Sequence, residues 1–245
     1  MSRTHEGRVA IVTGAAQGIG QAIATLLAER GAQLVLVDLQ DPSATAGMIE
    51  GETLSIQADI SADAEWARVA ATVDERFSRA DIVVNNAGIF PLRTIDELDI
   101  DTWRKTFAVN LDAHFFSAKH FIPLMRRNKW GRFVSIASNS IGYPIVGYSH
   151  YMASKMGAIG FVRGLANDLG ADGITVNAVL PAPTATPSTT SDTDTFDPMI
   201  YANQSIKRMS MPADIAGPVA FLTSEDAGFV TGQSIVVDGG AYKIS

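Results

Sequence analysis

Tyr151 and Lys155 stand four residues apart at the start of a predicted helix, so they share one face. An ammonium beside a phenol, together with a positively charged nicotinamide, favours the phenolate and lowers the Tyr pKa. Ser138 lies just past a predicted strand and can donate to a carbonyl or alkoxide oxygen. Moving a hydride between an alcohol and a cofactor needs these parts: a group that takes the hydroxyl proton, one that tunes that base, and one that holds the oxyanion. Singly, each residue has an ordinary explanation as a packed Tyr, a solvated Lys or a turn Ser; as a set they carry weight. There are no cysteines. The histidines (His5, His114, His120, His150) are scattered, so a zinc site is unsupported and no metal is expected.

A second group could hold a dinucleotide. The stretch Thr13-Gly14-Ala15-Ala16-Gln17-Gly18-Ile19-Gly20 runs from a strand into a helix. Glycines let a phosphate approach the backbone, and a helix N-terminus offers free amides and a positive dipole end. The spacing is G-x-x-x-G-x-G, not G-x-G-x-x-G, and it lacks the Gly-Lys-Ser/Thr ending of a nucleotide-triphosphate loop. A tight turn packed on glycines would explain the motif alone. Asp38 adds to it, because a carboxylate after the second strand can accept both ribose hydroxyls of an adenosine. Its charge repels a 2′-phosphate and no Arg directly follows, which favours NAD over NADP.

These groups need a scaffold, and the apolar periodicity supplies one. Strands are predicted at 8–13, 33–37, 54–57, 81–84, 131–136, 174–179 and 234–237. Helices are predicted at 18–30, 43–50, 63–79, 101–127, 150–169 and 214–222. Strands apolar on both faces that alternate with helices mean a parallel sheet covered on both sides. The expected fold is a single α/β Rossmann-type domain over residues 1–245, a doubly wound seven-stranded parallel sheet with helices on both faces. Residues 184–210 break the rhythm with a Thr/Ser/Asp/Pro-rich stretch after a strand's carboxyl end, and are expected to form a substrate lid.

A net charge of −7 argues against nucleic-acid binding, which needs a basic face. No apolar run is long enough to span a bilayer and no secretory core precedes Val9, so no membrane partner and a cytoplasmic location are expected.

The chain resembles the classical short-chain dehydrogenase/reductase family along nearly its whole length. The matching residues are Thr13-Gly14-x-x-x-Gly18-Ile19-Gly20, Asp59, Asn85-Asn86-Ala87-Gly88, Asn110, Ser138, Tyr151-x-x-x-Lys155 and Asn177-x-x-x-Pro181. Within the family it looks most like bacterial NAD-dependent secondary-alcohol dehydrogenases of the phenylethanol type, on Ala87–Leu92 and Asn128–Arg132. The resemblance implies an NAD-dependent oxidoreductase interconverting a secondary alcohol and its ketone. Tyr151 would be the general acid/base. Lys155 would lower its pKa and bond the nicotinamide ribose. Ser138 would position the substrate oxygen, and Asn110 would kink its helix and hold a relay water. Gly14, Gln17, Gly18, Ile19 and Gly20 would meet the pyrophosphate. Asp38, Leu39, Asp59, Ile60, Asn86, Ala87 and Gly88 would serve the adenosine half. Pro181, Thr184 and Thr186 would seat the nicotinamide. Ala182 stands where the family usually has Gly, which puts the path of that loop in question.

Phe90, Leu92, Asn139, Ser140, Ile141, Tyr143, Ile145, Tyr148, Phe196 and Met199 are expected around a mainly apolar substrate pocket. That suits a small uncharged alcohol or ketone. The alternatives are a 3-oxoacyl-carrier-protein reductase, which Arg126, Arg127 and Lys129 could help dock, and a sugar or polyol dehydrogenase. The family also implies a homotetramer.

Overall fold

The computed structural model describes residues 3–189 and 202–243. Seven strands form one sheet in the order β3-β2-β1-β4-β5-β6-β7. They are β1 (Val9–Thr13), β2 (Gln33–Asp38), β3 (Thr53–Gln57), β4 (Ile82–Asn85), β5 (Gly131–Ile136), β6 (Ile174–Pro181) and β7 (Ser234–Val237). Every pairing is parallel. The chain starts in the middle, walks outward through β2 and β3, then crosses back to place β4 on the other side of β1. That reversal opens a crevice at the carboxyl ends of β1 and β4, where sheets of this kind bind ligands.

The strands are apolar on both faces because both are covered. In β1, Val9 and Ile11 join one core while Ala10 and Val12 join the other. The first core packs under α3 (Asp63–Phe77), α5 (Ala113–Asn128) and α6 (Ser149–Leu169), where the Trp66 and Phe121 rings meet edge to face at 6.0 Å. The second lies under α1 (Gly18–Glu29) and α7 (Pro212–Leu222), through Ile23, Leu27, Ile215 and Val219. The single-domain, doubly wound α/β expectation is met, and all seven strands lie where the periodicity places them, within two residues at each end.

Two helices differ from expectation. The predicted helix 43–50 shrinks to one turn, α2 (Ser43–Ala46). The predicted long helix 101–127 is not continuous: α4 (Ile100–Phe107), capped by the Asp99 carboxylate on the Thr102 amide, passes into a π-helical turn, Ala108–Asp112, before α5 begins. The wider turn centres on Asn110. Its side chain accepts from the Ile89 amide and donates to the Ile89 carbonyl, both at 2.9 Å. A helical period cannot reveal this, because the bulge is set by a partner strand's loop and not by the helix's own stripe.

Candidate active site

Most site elements hang from a strand's carboxyl end. The glycine loop leaves β1. Asp38 ends β2, Asp59 follows β3, and Asn86, Ala87 and Gly88 follow β4. Thr13 ties the first and last of these together: its hydroxyl accepts from the Asn86 and Ala87 amides at 2.9 and 3.0 Å. Gly14 has φ of 65°, and a Cβ there would stand 2.7 Å from the Asn86 side-chain amide. At Gly20 a Cβ would collide with the Gly14 carbonyl. Only glycine fits at either position, and the result is a backbone cradle at the N-terminus of α1.

Two adjoining cavities open along this edge. The first, about 350 Å³, is lined by Gly14, Gln17, Gly18, Asp38, Leu39 and Asp59, with Ile60, Ala87, Lys105 and Val109. Both Asp38 oxygens are aimed by backbone amides, from Ala16 and Gln40, each at 2.9 Å, and retain lone pairs for further donors. Asp59 is held below the usual carboxylate range by the Ser61 hydroxyl and amide. The second cavity, about 230 Å³, is lined by Ser138, Tyr151 and Lys155, by Phe90, Ser140, Ile145 and Tyr148, and by Pro181 and Thr184. Ile19, Asn86, Gly88, Phe90 and Thr186 border both, so the two cavities run into each other.

In the second cavity, Tyr151 and Lys155 come from adjacent turns of α6 and Ser138 from the end of β5. Tyr151 hydrogen-bonds Ser138, whose hydroxyl also accepts from the Ser140 amide at 3.1 Å. Burial pushes the Tyr151 phenol up to about 12, against the lowering by Ser138. Burial pushes the Lys155 ammonium down to about 8. Its Nζ donates to the Ile136 carbonyl at 2.7 Å and lies 5.7 Å from the Tyr151 ring centroid. Burial is the largest cause of both shifts. Asn110 sits behind the cavity and bonds Ser154 at 3.1 Å; Ser154 in turn donates to the Tyr151 carbonyl at 2.7 Å.

The structure leaves some expected residues away from the cleft. Gly20 and Asn110 support it from beneath without lining it. Leu92, Ile141 and Tyr143 do not line the inner cavity; the Tyr143 ring turns towards Tyr242, 6.5 Å between centroids. Phe196 and Met199 lie outside the described residues, as does the middle of the 184–210 stretch. Its described beginning does close on the glycine loop, with Gln17 donating to the Ser188 hydroxyl at 3.2 Å. Ala182 is buried, without the positive φ that would demand glycine, and its amide bonds the Val237 carbonyl at 3.1 Å, so the alanine is accommodated. Residues that sequence reasoning missed are Lys105 and Val109, brought to the first cavity by α4 and the π-helical turn. Nothing in their local pattern marks them.

A family profile described as Enoyl-(Acyl carrier protein) reductase matches residues 14–242. The chain belongs to the short-chain dehydrogenase/reductase family. It is 34% identical over 242 residues to the 3-oxoacyl-[acyl-carrier-protein] reductase of Synechocystis sp., covering 95% of this chain and 96% of that one. It is also 34% identical, over 245 residues, to the corresponding reductase of Vibrio cholerae, covering 98% and 99%. Identity to the D-beta-hydroxybutyrate dehydrogenase of Rhizobium meliloti is 31% over 254 residues, covering 95% and 98%. Membership in the short-chain dehydrogenase/reductase family makes this chain an NAD(P)-dependent oxidoreductase acting on CH–OH or carbonyl groups. The narrower likeness to phenylethanol-type enzymes finds no support among these relatives. Among the described residues, no helix is long and apolar enough to cross a membrane and no cluster of side chains could hold a metal.

Proposed function

We propose that this short-chain dehydrogenase/reductase uses NAD to interconvert an uncharged secondary alcohol and its ketone. The observation that carries the reading is the continuity of the two cavities: a carboxylate-ended adenosine site runs into a pocket holding Ser138, Tyr151 and Lys155. NAD, when bound, supplies the hydride acceptor and a positive charge beside the phenol. The glycine cradle would take the pyrophosphate and Asp38 the adenosine ribose, with Leu39, Asp59, Ile60, Asn86, Ala87 and Gly88 around them. Pro181, Thr184 and Thr186 would border the nicotinamide, beneath a lid spanning 184–210. Tyr151 Oη takes the alcohol proton, Ser138 Oγ donates to the substrate oxygen, and Lys155 stabilises the phenolate while Asn110 braces the relay towards it. Phe90, Ser140, Ile145 and Tyr148 bound the substrate.

The relatives favour a second reading, reduction of a 3-oxoacyl thioester. Two features of this chain favour the first. Asp38 repels the 2′-phosphate of NADP. Arg126 and Arg127, two of the three expected carrier-docking groups, are already paired with Asp172 and Asp74, at 2.7 and 2.6 Å. The decisive experiment is a panel of secondary alcohols, polyols and 3-hydroxyacyl thioesters with NAD and NADP, followed by reduced-nicotinamide absorbance. Turnover of uncharged alcohols with NAD is expected; turnover confined to thioesters with NADP overturns the reading. Assembly as a homotetramer is part of the same proposal. It is supported by partly exposed aromatics on α4, α5 and α6, including the stacked Trp103 and Phe107 rings and the Phe115–Phe161 pair. Sedimentation would test it.

A further inference from the structure

The loops after β4 and β5 are sewn together at the mouth of the substrate cavity. The Arg93 amide donates to the Gly147 carbonyl at 3.0 Å. His150 Nε2, with its ring fully buried, lies 2.9 Å from the Pro91 carbonyl oxygen. Gly147 has φ of 81°, and the Leu92 side chain packs so near it that an added Cβ would stand 3.2 Å from Leu92 Cγ. The joined loops present four large apolar side chains to solvent: Phe90 at 40% exposure, Leu92 at 58%, Ile145 at 39% and Val146 at 77%.

Phe90 and Ile145 also line the inner cavity, and the Phe90 ring meets Tyr151 edge to face at 6.4 Å. Leu92 and Val146 lie outside it. The two loops therefore carry apolar side chains both in the cavity wall and just outside it. A small alcohol held by Ser138 and Tyr151 would leave the outer half wetted. Exposed apolar side chains grouped at the mouth of a site mark a ligand surface more than a packing accident.

We infer that the substrate of the proposed reaction carries a linear hydrocarbon tail on its carbinol carbon, and that this tail lies along the Phe90–Leu92–Ile145–Val146 ledge. The inference rests on the proposed alcohol–ketone chemistry at Tyr151 and narrows its substrate class. Such a tail could belong to a free alkanol or to a medium-chain acyl thioester. The ledge has no charged group among its four side chains, so a polyol or a short hydroxy acid would gain nothing from it.

The test is kcat/KM across a homologous series, from 2-butanol to 2-decanol with NAD, in parallel with 3-hydroxybutyryl and 3-hydroxydecanoyl thioesters. Each methylene withdrawn from water on the ledge should raise kcat/KM by about two- to fourfold. The arm that shows the rise identifies the source of the tail. In Leu92→Ser and Val146→Ser the ratio of long- to short-chain kcat/KM should fall by about tenfold. The pH profile should be unchanged, because neither side chain touches the phenol. Turnover that is flat in chain length overturns the inference and leaves the alcohol–ketone chemistry standing. A flat series together with a changed oligomeric state in Leu92→Ser also overturns it, and assigns the ledge to a second copy of the chain. Absence of turnover with every alcohol and thioester overturns both.

Discussion

At the scale of single residues, the candidate base and its neighbours are held in an environment that disfavours charge. Tyr151 and Lys155 are both shifted by burial towards their neutral forms. A neutral phenol in a dry wall is inert until charge arrives beside it, which suits a proton acceptor that must not react before substrate and cofactor are in place. Tyr151→Phe removes the proposed proton acceptor and leaves the ring packing against Phe90 and Tyr148. Its kcat should fall by about 10²–10⁴-fold, while NAD affinity, read by calorimetry, stays within about twofold. Asp38→Ala removes a carboxylate whose geometry is already fixed by the Ala16 and Gln40 amides. Charge-assisted bonds are worth about 1.5–3 kcal/mol, so NAD should bind about 10- to 100-fold more weakly. NADP, relieved of repulsion, should lose much less, and the ratio of the two Kd values is the measurement.

At the scale of elements, the π-helical turn between α4 and α5 is the part that locates the site's floor. Asn110 spends its whole amide on the chain after β4 and on Ser154, and Ser154 holds the Tyr151 carbonyl. One side chain thus fixes the β4 loop, the π-helical turn and the first turns of α6 relative to one another. Asn110→Ala would strand the Ile89 amide and carbonyl in a partly buried setting, at up to about 1–3 kcal/mol each. We expect urea denaturation to show about 2–4 kcal/mol of lost stability. Turnover should fall further than the folded fraction does, since the loop carrying Gly88 and Phe90 is no longer pinned against α6. The motif Asn110 was legible in the sequence through its family resemblance. The bond pattern that makes it a brace was not, because Ile89 is twenty-one residues away and nothing in either stretch encodes their meeting.

At the scale of the whole molecule, two buried histidines make stability depend on pH. His5 bridges Thr4 and Thr223, tying the N-terminal segment to the end of α7; burial first, then the nearby Arg30 and Arg8, bring its pKa down from 6.5 to about 4. His114 is buried in α5 with neither ring nitrogen bonded to a protein group, and burial followed by the Lys155 charge lowers it to about 3. Below pH 6.5 the unfolded chain takes up protons that the folded chain refuses, so stability falls as pH drops through the window from 6.5 towards 4. Well above 6.5 both states carry neutral imidazoles and the contribution of these two histidines vanishes. Urea midpoints measured from about pH 7 down to about pH 5 should decline, and His114→Leu should flatten part of that slope. An unchanged slope in His114→Leu would mean that the acid sensitivity originates elsewhere.

The residues that could do chemistry were legible in order along the chain, because strand carboxyl ends and helix starts impose local rules: glycines where backbone must meet a ligand, an acid after the second strand, Tyr and Lys one helical turn apart. Strands that are mostly apolar on both faces and alternate with helices could form little other than a covered parallel sheet. What the tertiary structure alone decided is how those points converge. Lys105 and Val109 reach the cavity beside Asp38, Tyr143 turns away towards Tyr242, and the loops after β4 and β5 meet at Arg93 and Gly147, because segments from different strands bond to each other. The physical reason is range: periodicity and capping act over a few residues, whereas the shape of a cleft is set by hydrogen bonds and packing between segments far apart in the chain.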